Sequence, residues 1–334
     1  MNAAAWKISR PELAAWLDAL AAEMTLLAPR EVDGVLLYRP VSGSAQIAWD
    51  YTRPVLSAKE FFFPPTERLF EIRKHGGEVT LTETLPDGRA ALFGIRPCDA
   101  RGLLTLDALF LHHAPADPYY ARRREQTVLL GLACRQMLPT CFCTSMGGAP
   151  DDEAGMDVML YETEDDYLVR AVSERGAALL PSGWTPSEEV PPPARRSETL
   201  YPQPTRPAWL SYFEDEYWQK TAERCLSCRA CSYVCPTCRC FIVRDEAIEA
   251  GRFERIRCWD ACMGENYRRV AGGHRPRAQA GERLRNRMFC KFYYYPEQYG
   301  LGETPACTGC GRCVEVCPVN IDITEVLSDL GRPA

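Results

Sequence analysis

The apolar and polar residues of the first half of the chain alternate in patterns that predict an α/β unit. Apolar side chains recur at helical spacing across residues 11–27. The face they share carries Leu13, Leu17, Leu20 and Met24. Four shorter segments have the composition of strands: residues 35–38 (VLLY), 44–49 (SAQIAW), 77–83 (GEVTLTE) and 90–95 (AALFGI). The chain is therefore predicted to begin with one helix and two pairs of strands, the second pair joined by a turn.

The segment after AALFGI predicts a strand–helix–strand crossover. Asp99 stands where it would cap an apolar helix, ARGLLTLDALFL at residues 100–111. Residues 127–134 (TVLLGLAC) have the composition of a buried strand. This order favours a right-handed parallel connection within an α/β sheet. Residues 156–162 and 167–172 complete the predicted sheet.

A proline-rich stretch separates this unit from the rest of the chain. Eight prolines fall between residues 181 and 207 among few apolar residues, which is typical of a surface linker. The remainder is rich in helix formers, and residues 241–251 (FIVRDEAIEAG) have helical composition. The sequence therefore predicts a mixed α+β protein. Its parts are an α/β domain over 1–180, a linker over 181–207 and an all-helical domain over 208–334.

Composition is typical of a soluble globular protein, with 25% charged and 46% hydrophobic residues. The net charge of −6 disfavours nucleic acid or an anionic membrane as the main partner. No apolar stretch reaches the roughly 18 residues that a membrane span needs. The N-terminal segment lacks the uninterrupted apolar run of a signal peptide. We therefore expect a cytoplasmic protein.

Cysteine is the exception, with 17 residues. None precedes residue 98, four lie between 98 and 143, and thirteen follow from 225 onward. A cytosolic chain that keeps so many thiols reduced generally uses them to bind metal rather than to form disulfides.

Two segments of the second half share the pattern C-x2-C-x2-C-x3-C-P: residues 225–236 (CLSCRACSYVCP) and 307–318 (CTGCGRCVEVCP). This is the spacing of a bacterial-type [4Fe–4S] run, in which the fourth cysteine ligates the other cluster. Thiolates suit iron–sulfur cores, although zinc or buried unliganded thiols are the alternatives. The rule assigns one cluster to Cys225, Cys228, Cys231 and Cys317, and another to Cys307, Cys310, Cys313 and Cys235.

Four cysteines of the first half favour a third [4Fe–4S] site. Cys98 and Cys134 each follow a predicted parallel strand, and such strands place ligand sites beyond their carboxyl ends. Cys141 and Cys143 follow in TCFCTS. Buried unliganded thiols are the competing interpretation.

Five cysteines have no place in these assignments. They are Cys238, Cys240, Cys258, Cys262 and Cys290. We expect them to pack around the clusters, the alternative being an additional metal bound by C-x-C and C-x3-C.

Residues 268–292 hold eight basic side chains against the single acid Glu282. They are Arg268, Arg269, Arg275, Arg277, Arg283, Arg285, Arg287 and Lys291. Such cations would offset the charge of an anionic cluster or dock an acidic partner, the alternative being a solvated helix face.

No pattern in the chain indicates catalysis. There is no G-x-G-x-x-G after a strand, no C-x-x-C-H, no catalytic triad and no pair of histidine ligands. We therefore expect no catalytic residue, and no flavin or NAD(P) bound by this chain itself.

A series of motifs in this chain resembles the β subunits of cytoplasmic NAD(P)-linked [NiFe] hydrogenases, the sulfhydrogenases. The series is also similar to the corresponding component of anaerobic sulfite reductase, a close relative. The motifs are GIRPCDARGLLTLD, DPYYARRR, TCFCTSMGG, CSYVCPTCRCF, CWDACM, RNRMFCKF and CTGCGRCVEVCPVNIDITEVL. They keep their order across most of residues 55–330.

The resemblance implies an electron-transfer subunit whose only metal is iron held by cysteine. It implies a third cluster at Cys98, Cys134, Cys141 and Cys143. It also implies three partners, namely the FAD- and NAD(P)H-handling, the small iron–sulfur and the large catalytic subunits of a [NiFe] hydrogenase. The alternatives are a stand-alone sulfur reductase, an oxygen sensor acting on nucleic acid and a component of a sulfite reductase.

Overall fold

The computed structural model describes residues 5–332, so the outer limits of the two predicted domains lie outside the described residues. The strands are β1 (Ala5–Ser9), β2 (Thr25–Val32), β3 (Val35–Val41), β4 (Thr66–His75), β5 (Glu78–Glu83), β6 (Ala90–Ile95), β7 (Thr127–Leu132), β8 (Val158–Glu162), β9 (Asp166–Ala171), β10 (Thr185–Ser187), β11 (Phe241–Glu249) and β12 (Arg252–Trp259). They form two sheets, of eight and four strands.

The α-helices are α1 (Arg10–Glu23), α2 (Lys59–Phe62), α3 (Pro97–Phe110), α4 (Pro118–Gln126), α5 (Glu174–Ala177), α6 (Arg206–Ser211), α7 (Tyr217–Ala222), α8 (Ala230–Tyr233), α9 (Ala280–Phe289), α10 (Tyr295–Gln298), α11 (Arg312–Glu315) and α12 (Ile323–Leu330). A π-helical turn, Cys290–Tyr294, joins α9 to α10. Within residues 5–332, no helix combines the length and apolarity needed to cross a bilayer.

The eight-stranded sheet has the order β10-β1-β9-β8-β7-β6-β2-β3. Its central strands β2, β6, β7 and β8 run parallel, as the crossover pattern predicts. Both β6 and β7 are buried along their whole length, which is typical of a parallel sheet covered on both faces. Phe93 belongs to the core under α1, whereas Leu92 belongs to the core under α3, so helices cover opposite faces of the sheet.

The predicted helix over 11–27 is confirmed, but it ends earlier. Ser9 caps α1, and its side chain and that of Glu12 form a capping box. Met24 is already extended, because the apolar residues after it form β2, which pairs with β6. The helix therefore ends where the sheet begins.

One strand prediction in the same region is wrong. Residues 44–49 form only a short 3₁₀ turn at Ser44–Gln46. The strands predicted at 77–83 and 90–95 are confirmed as β5 and β6, of which β5 pairs with β4 in the smaller sheet and β6 lies in the larger one. The turn between them therefore connects two sheets.

The predicted helix at 241–251 is also wrong, so residues 208–334 are not all helical. These residues form β11, which makes a hairpin with β12 through Gly251 at φ +76°. Strand β12 then pairs with β4, giving the sheet order β11-β12-β4-β5. The β-branched residues Ile242, Val243 and Ile248 suit this pairing, which outweighs the helix-forming composition.

Candidate metal centres

The first candidate site is a surface pocket that joins the two cysteine runs. Its lining includes Cys225, Cys228, Cys231 and Cys317, the four thiols predicted to share a cluster. The backbone N–H of Ser227 donates to Cys225 Sγ at 3.4 Å, and that of Ile321 donates to Cys317 Sγ at 3.2 Å. Backbone N–H groups therefore point at two of the four candidate ligand sulfurs.

Three of the four cysteines of the second candidate site are buried, and Cys313 is half-buried. The site gathers Cys235, Cys307, Cys310 and Cys313. Burial raises the pKa of the Cys313 thiol; Arg287 opposes this shift, and the sulfurs of the other three cysteines reinforce it. Cys313 also lines the pocket of the first site, so these two sites adjoin each other.

The third candidate site is a cavity of about 1390 Å³ beyond the carboxyl ends of β6 and β7. Its lining includes all four first-half cysteines, Cys98, Cys134, Cys141 and Cys143. Burial raises the pKa of Cys143 to about 12, and the nearby sulfurs of Cys141 and Cys134 add to the shift. Cys310 of the second site reaches the same cavity. The predicted convergence of these thiols is therefore seen, whereas iron ligation stays a prediction.

Two glycines bring the loops of the second and third sites into backbone contact. Gly309, at φ +64°, accepts a hydrogen bond from the Phe142 N–H at 2.8 Å. A Cβ on Gly309 would stand 2.5 Å from the Phe142 carbonyl carbon, and one on Gly311 would stand 2.3 Å from the Thr140 carbonyl oxygen. Only glycine permits this approach.

Gly309→Ala is therefore expected to destabilise the chain by more than about 2 kcal/mol, through backbone strain and a clash that no side chain can relieve. Urea unfolding under anaerobic conditions measures the loss. Gly77→Ala is the matched control, since a Cβ there meets no atom within 4 Å. Equal stability of the two variants would contradict this account of the loop contact.

Three buried cations surround the second site. Lys291 Nζ donates to Cys235 Sγ at 3.1 Å, and Arg287 Nη1 donates to Cys238 Sγ at 3.3 Å. Lys59 Nζ donates to the Cys238 carbonyl at 3.1 Å and lies over the Trp259 ring. None of these three cations forms an ion pair with a carboxylate in the described part of the chain.

Buried charges normally have a counter-charge, because leaving one unpaired costs several kcal/mol. Here the nearest candidates are cysteine sulfurs. Burial alone lowers the pKa of Lys291, yet the Cys235 and Cys238 sulfurs outweigh it and hold that pKa above its usual range. An anionic cluster with thiolate ligands would supply the missing charge.

Two hydroxyl groups beside the cysteines support the same fit. Thr144 and Thr308 each follow a candidate ligand, Cys143 and Cys307, and their buried hydroxyls have no hydrogen-bond partner. Buried polar groups are rarely left unsatisfied. Inorganic sulfides of a cluster would be acceptors for such donors.

The third site has its own cations, which sequence reasoning missed. Arg53 Nη1 donates to Cys141 Sγ at 3.4 Å and also to the Cys310 carbonyl. Buried Arg96 donates to the carbonyls of Leu132 and Ala133, just before Cys134. The one signal in the sequence is the position of Arg96 in RPCD, two residues before the candidate ligand Cys98.

Asp99 does not cap α3, because the helix begins at Pro97 and Asp99 lies inside its first turn. Its carboxylate instead makes a two-pronged ion pair with Arg312, with N–O distances of 2.6 and 2.8 Å. Asp99 follows Cys98 and Arg312 precedes Cys313. The ion pair therefore links the chain segment that holds Cys98 of the third site to the segment that holds Cys313 of the second.

None of the five unassigned cysteines, all of which the structure describes, lines the pocket of the first site or the cavity of the third. The Cys238 backbone N–H donates to the Cys235 carbonyl at 3.4 Å, and Cys290 Sγ accepts a hydrogen bond from Arg239 at 3.4 Å. Cys240 shares one with Cys262, which lowers the pKa of Cys240. Cys258 lies on β12. Between residues 5 and 332, no three Cys, His, Asp or Glu side chains are placed to hold a single metal ion.

Two comparisons with known proteins indicate the family of the chain and the kind of domain that holds the cysteine runs. A family model described as a 4Fe-4S dicluster domain matches residues 224–321, the segment that holds both cysteine runs. Over 310 residues the chain is 34% identical to the sulfhydrogenase 2 subunit beta of Pyrococcus furiosus. That alignment covers 88% of each chain. No solved structure matches.

Proposed function

Since the chain belongs to the family of the sulfhydrogenase β subunits, we propose that it relays electrons within a cytoplasmic [NiFe] hydrogenase complex. Its neighbours would be an FAD- and NAD(P)H-handling subunit on one side and the small iron–sulfur and large catalytic subunits on the other. The supporting observation is a row of three adjoining cysteine sites, the middle one ringed by buried cations without carboxylate partners.

We assign one [4Fe–4S] cluster to each site. The ligand sets are Cys225, Cys228, Cys231 and Cys317 for the first, Cys235, Cys307, Cys310 and Cys313 for the second, and Cys98, Cys134, Cys141 and Cys143 for the third. When bound, such clusters exchange single electrons, which suits a chain between a two-electron hydride carrier and a distant metal.

The side chains of this protein would hold the three centres in a fixed row. Cys313 lines both the first and second sites, and Cys310 reaches from the second to the third. The Asp99–Arg312 ion pair and the Gly309 contact keep the second and third sites together. Lys59, Arg287 and Lys291 offset negative charge at the middle of the row.

Iron analysis of the anaerobically isolated chain tests the proposal. We expect about twelve irons and twelve labile sulfides per chain. Cys134→Ser and Cys317→Ser should each remove about four irons, from the third and first sites respectively. Cys258→Ser is the matched control and should keep them all, because Cys258 lines neither cavity.

About eight irons in the unaltered chain would remove the third cluster, and a colourless protein would overturn the proposal. The partners are tested separately, by mass spectrometry of subunits that co-purify with the chain. Flavin-binding and hydrogenase subunits are expected, whereas a sirohaem sulfite reductase would replace the hydrogenase assignment.

A further inference from the structure

The first site is the place where the row of cysteines reaches the surface. Of the 17 cysteines, all of which lie in the described residues, Cys228 alone is exposed. Leu226, two residues before Cys228, is 65% exposed. A redox centre held by Cys228 would therefore have its most accessible edge here.

Residues 264–279 form a basic loop beside this edge. The loop carries Arg268, Arg269, Arg275 and Arg277 against the single acid Glu265. Arg268, Arg269 and Arg275 are exposed, as is Val270 at 54%. The chain as a whole has a net charge of −6, so this loop stands out against the rest of the surface.

Hydrogen bonds fasten the loop to the cysteine run. Arg283 donates through Nη1 to the carbonyls of Arg277 and Ala278, at 3.2 and 2.6 Å. Through Nη2 it donates to Ser227 Oγ at 3.0 Å, next to Cys228. Arg229 packs against Gly264, with Nε 2.7 Å from where a Cβ would stand. The loop and the run therefore form one continuous surface.

This surface, the arginine face, comprises Arg229, Arg268, Arg269, Arg275 and Arg277 with Leu226 and Val270. None of its arginines forms an ion pair with a carboxylate in the part of the chain that the structure describes. Exposed apolar side chains among unpaired arginines are typical of a protein interface, since arginine is enriched there and a charged rim selects the partner.

We propose that the arginine face docks an acidic iron–sulfur protein, which exchanges electrons with the chain at the first site. This inference rests on the proposed function, because it needs a redox centre behind Cys228. The partner is acidic because five unpaired arginines face it. The partner is expected to carry electrons because the arginines lie beside Cys228, the one exposed cysteine.

Binding of a small acidic [2Fe–2S] ferredoxin to the iron-loaded chain tests this inference. At low salt we expect binding that weakens steeply as ionic strength rises, because charge attraction between exposed groups is screened. Arg269→Glu with Arg275→Glu should weaken the affinity by about tenfold or more. Basic cytochrome c should not bind this face.

Arg89→Glu with Arg122→Glu is the matched control. It changes the net charge by the same amount, but both residues are exposed and lie far along the chain from the first site. The control should bind the ferredoxin as the unaltered chain does. Equal losses in the two double variants, or no binding by the unaltered chain, would overturn the inference. So would tighter binding of duplex DNA than of ferredoxin by the same arginines.

Iron content separates the two possible failures. If all proteins carry full iron and the ferredoxin does not bind, the docking proposal is wrong, whereas the proposed electron-transfer function is unaffected. If the unaltered chain lacks iron, the proposed function fails first.

Discussion

Replacing Asp99 by Ala is expected to lower the free energy of unfolding by about 3–5 kcal/mol, because it leaves the Arg312 charge buried and unpaired. Asp99 is 1% exposed and Arg312 is 2% exposed. The guanidinium of Arg312 also donates to the Pro54 carbonyl at 3.0 Å, and Tyr38 donates to the carboxylate at 3.3 Å.

Urea unfolding of the iron-loaded chain under anaerobic conditions measures the loss. Glu297→Ala is the matched control, since it breaks an ion pair with Arg206 whose side chains are 57% and 51% exposed. That change should cost at most about 1 kcal/mol. Adding Arg312→Met to Asp99→Ala should recover much of the stability, because no buried charge then remains. If the buried and exposed variants lose equal stability, the pair does not join the two sites.

The features of the candidate site that depend on residues close together in sequence could be predicted from the sequence. The spacing within 225–236 and 307–318 identifies the two runs, and a family model for a dicluster domain matches them. Cys98 and Cys134 were expected to converge because parallel strands end at one edge of a sheet, and both line one cavity with Cys141 and Cys143.

Long-range pairing was beyond such reasoning. Residues 241–249 contain Arg, Glu and Ala, which favour a helix when considered alone. They form a strand because β12 finds its other partner in β4, which lies on the far side of the linker in sequence. A strand preference depends on neighbours across the sheet, and β4, which pairs with the second strand of this hairpin, lies in no local window.

The burial of the cations beside the second site could not be predicted from the sequence either. Lys59 lies far from every cysteine in sequence, yet its ammonium group donates to the Cys238 carbonyl. Burial lowers the pKa of Lys59 to about 8. Lys291, by contrast, belongs to a basic segment that is visible in the sequence, but the sequence does not show that its side chain is buried. Which of the many basic residues offset the charge of a site depends on which of them are buried beside it.

Lys291→Met is expected to lower the reduction potential of the second cluster by an amount on the order of 100 mV. At an effective dielectric constant of about 20, a unit charge about 5 Å away changes the energy of an added electron by about 3 kcal/mol, equivalent to that shift. Lys291 is 4% exposed and donates to Cys235 Sγ and Thr237 Oγ1 at 3.1 and 3.0 Å. Solvent therefore screens its charge weakly.

Redox titration followed by electron paramagnetic resonance measures the potential, with iron content determined on the same samples. Lys291→Arg retains the positive charge and should stay near the unaltered value. Lys220→Met is the surface control, since the Lys220 side chain is 71% exposed, and it should leave all potentials unchanged. A merely structural role for Lys291 would show as iron loss in both Lys291 variants without the charge-dependent split. An unshifted potential in iron-replete Lys291→Met would mean that another group supplies the counter-charge of the second site.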